Sequence, residues 1–232
     1  MSRVLYDLAG ADTQRRFSPY CWRTKLALAH KGLPFETVPW HLTEKDVIAF
    51  SGQGAVPVLQ DGERTVSNSW DIALYLEQAY PAAPSLFTGE AGRAHAHFVN
   101  EWADRVLLPT VGRMLVLDIL GVLHEKDRAY YRTTREARYG APFEQLVAGR
   151  EARLPELRAL LSPVRSALTA RPYLGGSAPD YADYAVFGVF QWARCVSSFA
   201  LLESTDSVYA WRERLLDAHG ALARRAPGYP VA

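Results

Sequence analysis

The stretch Phe17-Ser18-Pro19-Tyr20-Cys21-Trp22-Arg23 carries the densest chemistry in this chain. Ser18 and Cys21 stand three apart beside a proline, the spacing of a Cys-x-x-Cys dithiol whose first thiol is a hydroxyl. Disulfide exchange through position 18 is therefore excluded. A serine there can still donate a hydrogen bond to a thiolate carried by another molecule. Ser18 also suits the N-cap of a helix, with Pro19 at the first helical position, where its missing N–H costs nothing. A helix start favours anions through its free N–H groups and its dipole. Cap and thiolate donor are both open readings of Ser18. Cys21, three residues on, is expected to face the interior as a buried structural thiol.

Two more stretches place polar backbone where a ligand could use it. Ala55-Val56-Pro57-Val58 sets a proline at the start of a strand, an edge or bulge position. A cis bond there would turn the Val56 N–H and C=O outward to pair with an extended peptide; a trans edge proline is the plainer alternative. Asn68-Ser69 opens another helix, either as a simple cap or as a seat for a carboxylate.

The elements that must hold these residues follow from periodicity. Val4–Leu8 reads as a strand, Ser18–Gly32 as a capped helix with Trp22, Leu26 and Ala29 on one apolar face, and Phe35–Val38 as a second strand. A weaker helical stretch spans Thr43–Phe50. Val56–Leu59 and Thr65-Val66 then flank Asp61-Gly62, a hairpin signal, and a helix covers Ser69–Tyr80. The order βαβ, α, ββα predicts a four-stranded mixed sheet with helices packed on it. Its strand-to-helix junction lies at the carboxyl ends of strands, where open α/β sheets place ligands. A linker composition covers 83–92. Beyond it the chain reads as helices: Phe98, Trp102 and Val106 recur every four, Leu154 to Leu168 keep a helical rhythm through Pro163, and Asp180-Tyr181-Ala182-Asp183 is a capping-box variant. The expected division is an α/β domain at 1–82, the linker, and an all-α domain at 93–232.

Composition narrows the class. The 232 residues are 49% hydrophobic and 22% charged, enough for a substantial core. A balance of 26 basic and 25 acidic side chains leaves no footprint for nucleic acid or an anionic membrane surface. The two cysteines, Cys21 and Cys195, suit a reducing compartment. No apolar run reads as a signal peptide or a membrane span. A soluble, cytoplasmic protein is expected.

Ser18-Pro19-Tyr20-Cys21-Trp22-Arg23, Ala55-Val56-Pro57-Val58-Leu59, Asn68-Ser69-Trp70-Asp71-Ile72-Ala73-Leu74-Tyr75-Leu76 and Asp180-Tyr181-Ala182-Asp183-Tyr184, in that order, resemble the glutathione transferases. The resemblance covers nearly the whole chain. Tyr131-Arg132, Arg135-Glu136, Gly149-Arg150-Glu151, Arg153-Leu154-Pro155 and Tyr173-Leu174-Gly175-Gly176 resemble the bacterial β-etherases of lignin breakdown and the fungal Fua-class transferases. The resemblance implies a thioredoxin-like α/β domain followed by an all-α one, a cytoplasmic homodimer, and glutathione as co-substrate with no metal. Ser18 would bond the glutathione sulfur. Val56 would pair with the cysteinyl unit, with Pro57 cis. Ser69 and Asn68 would hold the γ-glutamyl end, although many relatives carry an acidic residue where this chain has Asn68. Ala55 replaces the Gln or Lys that reaches the glycine carboxylate in many relatives; His41, Trp40 and Gln53 are the candidates to do so here.

Tyr20, Phe98, Trp102, Met114 and Trp192 are the candidates for a hydrophobic substrate surface. Helical spacing equally suits core packing for the last four. Arg132–Arg138 reads as a solvated helix face, and His95 and His97, two apart, do not converge on a metal. The implied function is serine-activated thiolate attack on hydrophobic aromatic electrophiles, β-aryl ethers among them. An isomerase lacks support, because the Ser-Ser-Cys signature of the maleylacetoacetate isomerases is absent. A carrier of aromatic ligands on the same fold is the reading from another class.

Overall fold

The computed structural model describes residues 3–230, so the outermost two residues at each end of the chain lie outside the described residues. Strand β1 (Arg3–Leu8) is followed by α1 (Pro19–His30), β2 (Glu36–Trp40), a 3-10 segment (Asp46–Ser51), β3 (Val58–Asp61), β4 (Arg64–Ser67) and α2 (Ser69–Ala79). The sheet order is β2-β1-β3-β4. β1 runs parallel to β2 and antiparallel to β3, with Leu5 opposite both Thr37 and Leu59. This is the expected thioredoxin-like arrangement. The second strand runs further than expected, to Trp40, because an edge strand tolerates Pro39. The hairpin turns on Gly62 and Glu63, with Asp61 paired to Arg64 and Gly62 at φ 60° as the first central residue.

Helix α1 is capped by Ser18 and closed by Gly32, which takes φ 66° while the Leu33 N–H bonds back to the Leu28 carbonyl at 3.0 Å. One apolar face was expected; the structure buries nearly the whole helix, Arg23, Thr24 and Lys25 included. The sheet covers one side and a long central helix covers the other. The charges survive burial because each is paired: Lys25 Nζ lies 2.7 Å from Asp7 Oδ2, and Arg23 bonds outward to the helical half.

Helices fill the rest: α3 (Gly89–Trp102), a π turn (Ala103–Leu107), α4 (Leu108–Val122), α5 (Glu125–Tyr139), α6 (Phe143–Val147), α7 (Leu154–Leu160), α8 (Ser162–Ala170), α9 (Tyr181–Val196) and α10 (Ser207–Ala221). Helix α3 begins inside the stretch read as linker, so Gly89 to Gly92 belong to it. The rhythm through Pro163 is two helices, since the proline starts α8 and has no N–H to continue α7. Helix α9 is central and buried on every side, with only Arg194 outside the buried set. Its capping box is complete: Asp180 accepts the Ala182 N–H and Asp183 accepts the Asp180 N–H. The buried Asp183 carboxylate also takes the N–H groups of Leu174, Gly175 and the Trp211 indole, which ties α9 to the preceding loop and to α10.

Helices α1 and α9 pack closely at Gly188, where a Cβ would stand 2.7 Å from the Pro19 carbonyl oxygen and 3.1 Å from Arg23 Cγ. Gly188→Ala should therefore destabilise the protein by about 1–3 kcal/mol through overpacking. Urea unfolding of the variant beside wild type measures it, and an unchanged midpoint would mean that the seam is loose.

Candidate active site

Ser18 sits between β1 and α1 with extended backbone, φ −62° and ψ 125°, and is nearly buried. The Cys21 N–H donates to its Oγ at 3.2 Å. A hydroxyl that accepts the cap bond keeps its own proton free to donate elsewhere. The side chain faces a cleft of about 300 Å³ between the two halves of the protein. The α/β half contributes Ser18, Tyr20, Trp40, Lys45, Ala55 and Val56 to its walls; the helical half contributes Leu108, Ile119, Tyr131, Arg135, Arg138, Tyr139 and Trp192 among others. The Val56–Pro57 bond is cis. The strand ladders begin at Val58, leaving the Val56 backbone outside them.

The residues named from sequence divide. Tyr20 and Trp192 line the cleft with Ser18. Burial pushes the Tyr20 phenol up, although Arg23 stacks on its ring at 5.0 Å. Phe98 and Trp102 do not reach it: they line a separate apolar hollow of about 320 Å³ between α3 and α8, with Phe98 72% exposed. Their spacing of four puts both on one face of α3, and that face turns away from Ser18. Met114 is core, 1% exposed. Asn68 caps α2 by accepting the Trp70 N–H at 2.9 Å, and its φ of 70° suits an asparagine. Its own N–H donates to the Pro57 carbonyl at 3.3 Å, which sets Asn68 and the buried Ser69 just behind the Val56–Pro57 turn.

Of the three candidates for a carboxylate contact, only Trp40 lines the cleft, and its indole N–H is spent on the Glu44 carbonyl at 2.6 Å. His41 turns away, because Asp127 of α5 accepts the N–H groups of Leu42 and Thr43 and draws that loop onto the helix. Its ring packs on His124 at 5.1 Å, and burial lowers its pKa. Gln53 is exposed and outside the cleft. Lys45 stands there instead, its ammonium over the Trp40 ring at 4.7 Å and bonded to the Gly54 carbonyl at 2.5 Å. Sequence reasoning passed over it. The available signal was that Lys45 is the only lysine or arginine between Lys31 and Arg64.

The solvated-face reading of Arg132–Arg138 holds for Arg132, which pairs with Glu136 and Glu144. Arg138 is exposed as well but also lines the cleft, and Arg135, half-buried, lines it too. The floor beneath Tyr139 depends on Gly112, where a Cβ would fall 2.5 Å from the Tyr139 hydroxyl.

Comparison with known proteins agrees with this geometry. Residues 13–84 match the family model of the glutathione S-transferase N-terminal domain, and residues 94–213, just over half of the chain, match that of the C-terminal domain. The chain belongs to the glutathione S-transferase family. A zeta-class member from Euphorbia esula is 31% identical over 110 residues, 45% of this chain and 47% of that protein, so the match spans about half of the relative's length. Glutathione S-transferase U28 of Arabidopsis thaliana is 24% identical over 89% of this chain and 84% of its own. Among solved structures, GSTFuA2 from Phanerochaete chrysosporium superposes with a TM-score of 0.75 at 26% identity, covering 95% of this chain and 93% of its own. A glutathione S-transferase of Ceriporiopsis subvermispora, solved in complex with glutathione, gives 0.77 at 22% identity over 99% of both chains.

Among the described residues no cluster of three or more His, Cys, Asp or Glu is arranged to hold a metal, and no helix is long and apolar enough to cross a membrane. Cys21 points at the sheet, its Sγ 3.8 Å from the Tyr6 carbonyl, and burial pushes its pKa well up. Burial likewise pushes the Cys195 thiol up to about 11. Both should react with an aromatic disulfide reagent at pH 8 at least about a hundredfold more slowly than free cysteine, and at full rate once unfolded. Rapid modification of the native protein would show that Cys21 is reachable from the cleft.

Proposed function

We propose that this chain binds glutathione in the cleft and transfers its sulfur to an aromatic electrophile, with Ser18 as the thiolate donor. The observation that carries the reading is the Ser18 hydroxyl: its oxygen accepts the Cys21 N–H, and it stands at the mouth of the first helix in the wall of a cleft. The Val56 backbone, outside the strand ladders and in the cleft wall, is suited to pair with the cysteinyl unit, and Lys45 to hold the glycine carboxylate. Asn68 and Ser69, at the start of α2, are the seat for the γ-glutamyl end. Pro57 shapes the turn between these two contacts.

The energetics are modest. A free cysteine thiol has a pKa of about 8.5, and lowering it by roughly two units requires about 2.7 kcal/mol of differential stabilisation. A hydroxyl donor at a helix N-terminus in a partly dehydrated cleft supplies an interaction of that size. The thiol proton leaves to solvent, the thiolate forms a C–S bond, and the leaving group departs with its electron pair. For a β-aryl ether that leaving group is a phenolate. The Tyr20, Tyr139 and Trp192 rings form the wall against which an aromatic electrophile would lie.

The test is a pH titration of protein-bound glutathione by thiolate absorbance, wild type beside Ser18→Ala. The expected result is an apparent pKa well below that of free glutathione in wild type, restored toward 8.5 in the variant, with kcat/KM down by about tenfold or more. Lys45→Ala should instead raise the KM for glutathione by about tenfold. Tight binding with an unshifted thiol pKa would overturn the catalytic reading in favour of a carrier of aromatic ligands.

A further inference from the structure

The helical wall of the cleft carries charge that a neutral aromatic substrate does not need. Arg135 and Arg138 line it together with Lys45, and no carboxylate does. Neither arginine has a carboxylate partner among the described residues: Arg135 donates only to the neighbouring Thr134 hydroxyl at 3.0 Å and stacks on Tyr131 at 5.3 Å. The nearby acids are committed elsewhere. Glu136 pairs with Arg132 at 2.9 Å, and Asp104 pairs with Arg23 at 2.7 Å. Arg135 is partly desolvated and its pKa is lowered, first by burial and then by repulsion from Arg138. A half-buried guanidinium without a counter-charge, as at Arg135, is unfavourable unless an anion joins it, and the exposed Arg138 lines the same wall to share that anion.

The place of that anion differs from the Lys45 end. Lys45 sits by Trp40 at the end of β2 and by the Tyr130 ring near the start of α5. Arg138 lines the cleft with Tyr20 and Tyr139, whose phenols burial pushes up. Tyr139 borders Trp192 across Gly112. This is the aromatic end, where the electrophile and not glutathione would lie.

We propose that the electrophile is an aromatic ring bearing a carboxylate, and that Arg135 and Arg138 hold that carboxylate while the Ser18-bonded sulfur attacks the ring. The proposal rests on the transferase reading and names its substrate class. In a model reaction with 4-chloro-3-nitrobenzoate, the thiolate forms a bond to the chlorine-bearing carbon, the C–Cl bond breaks, and chloride leaves with the electron pair. The probe comparison is this benzoate against its neutral near-isostere 4-chloro-3-nitrobenzamide, each rate divided by its own uncatalysed rate with glutathione.

The normalised kcat/KM should favour the benzoate by about tenfold or more in wild type, the size expected of charge-assisted bonds in a partly dry site. R135Q/R138Q should abolish the preference through a raised KM for the benzoate, without a matching rise in KM for glutathione. Arg135→Lys should restore part of it, because charge remains but the fork geometry does not. Equal normalised rates in wild type would overturn the proposal and leave the transferase reading standing. A variant effect confined to the KM for glutathione would do the same. Equilibrium binding of 3-nitrobenzoate and 3-nitrobenzamide, followed by quenching of tryptophan fluorescence, keeps the two readings apart. Preferential benzoate binding lost in the variant, with no turnover of either electrophile, would support the anion seat while removing the transfer chemistry.

Discussion

The seam between α1 and α9 is the contact on which the site depends. Arg23, fully buried, crosses it: its Nε donates to the Ala185 carbonyl at 3.1 Å, and its terminal nitrogens reach Asn100 Oδ1 at 3.0 Å and Asp104 Oδ1 at 2.7 Å. A charge taken out of water must be paired and hydrogen-bonded, so Arg23 ties α1 to α9 through Ala185 and to α3 and the π turn through Asn100 and Asp104. Gly188 lets α1 and α9 pack closely. The first turn of α1, where Ser18 and Tyr20 stand, is thereby aimed at the helices that supply Tyr139 and Trp192. A site made from two halves needs such a rigid seam, because groups contributed by different elements keep their relative positions only if those elements do.

A second constraint acts on the loop after β2. Asp127, buried at the start of α5, accepts the Leu42 and Thr43 N–H groups and the Thr43 hydroxyl. That clamp carries His41 away from the cleft and leaves Trp40 and Lys45 facing it. The same helix presents Tyr130, Tyr131, Arg135, Arg138 and Tyr139 along the opposite wall. One buried carboxylate thus sets the spacing between the cation on the α/β side and the cations on the helical side. The cleft as a whole is an electropositive slot with aromatic walls in a chain whose net charge is only +1. Net charge describes the whole surface, whereas the field in a cleft is set by the few groups that line it.

Much of this was legible in the residues. Ser18-Pro19 announced the start of α1 because capping is local: a side-chain oxygen bonds an N–H three residues on, and nothing distant is involved. The same locality made Asp180 and Asp183 readable as a capping box and Asn68 as a cap. Strand alternation located all four strands to within a few residues, and the ordered motifs pointed to the family that the domain models then matched. Cys21 followed as well, since three residues after the cap a helix turns its side chain toward the sheet.

Tertiary structure alone decided which face of each helix met the cleft. Phe98 and Trp102 share a spacing with many core positions, and periodicity defines a face without saying what lies opposite it. Arg135 and Arg138 stand in the same charged run as Arg132, yet a helix rotates about 100° per residue, so neighbours in one run point to solvent or to the site according to how α5 is docked. Lys45 lines the cleft and His41 does not because Asp127, more than eighty residues away, holds the loop between them. Local bonding, determined by the sequence itself, sets the caps, turns and strands; long-range pairing of buried polar groups sets which side chains share a cleft.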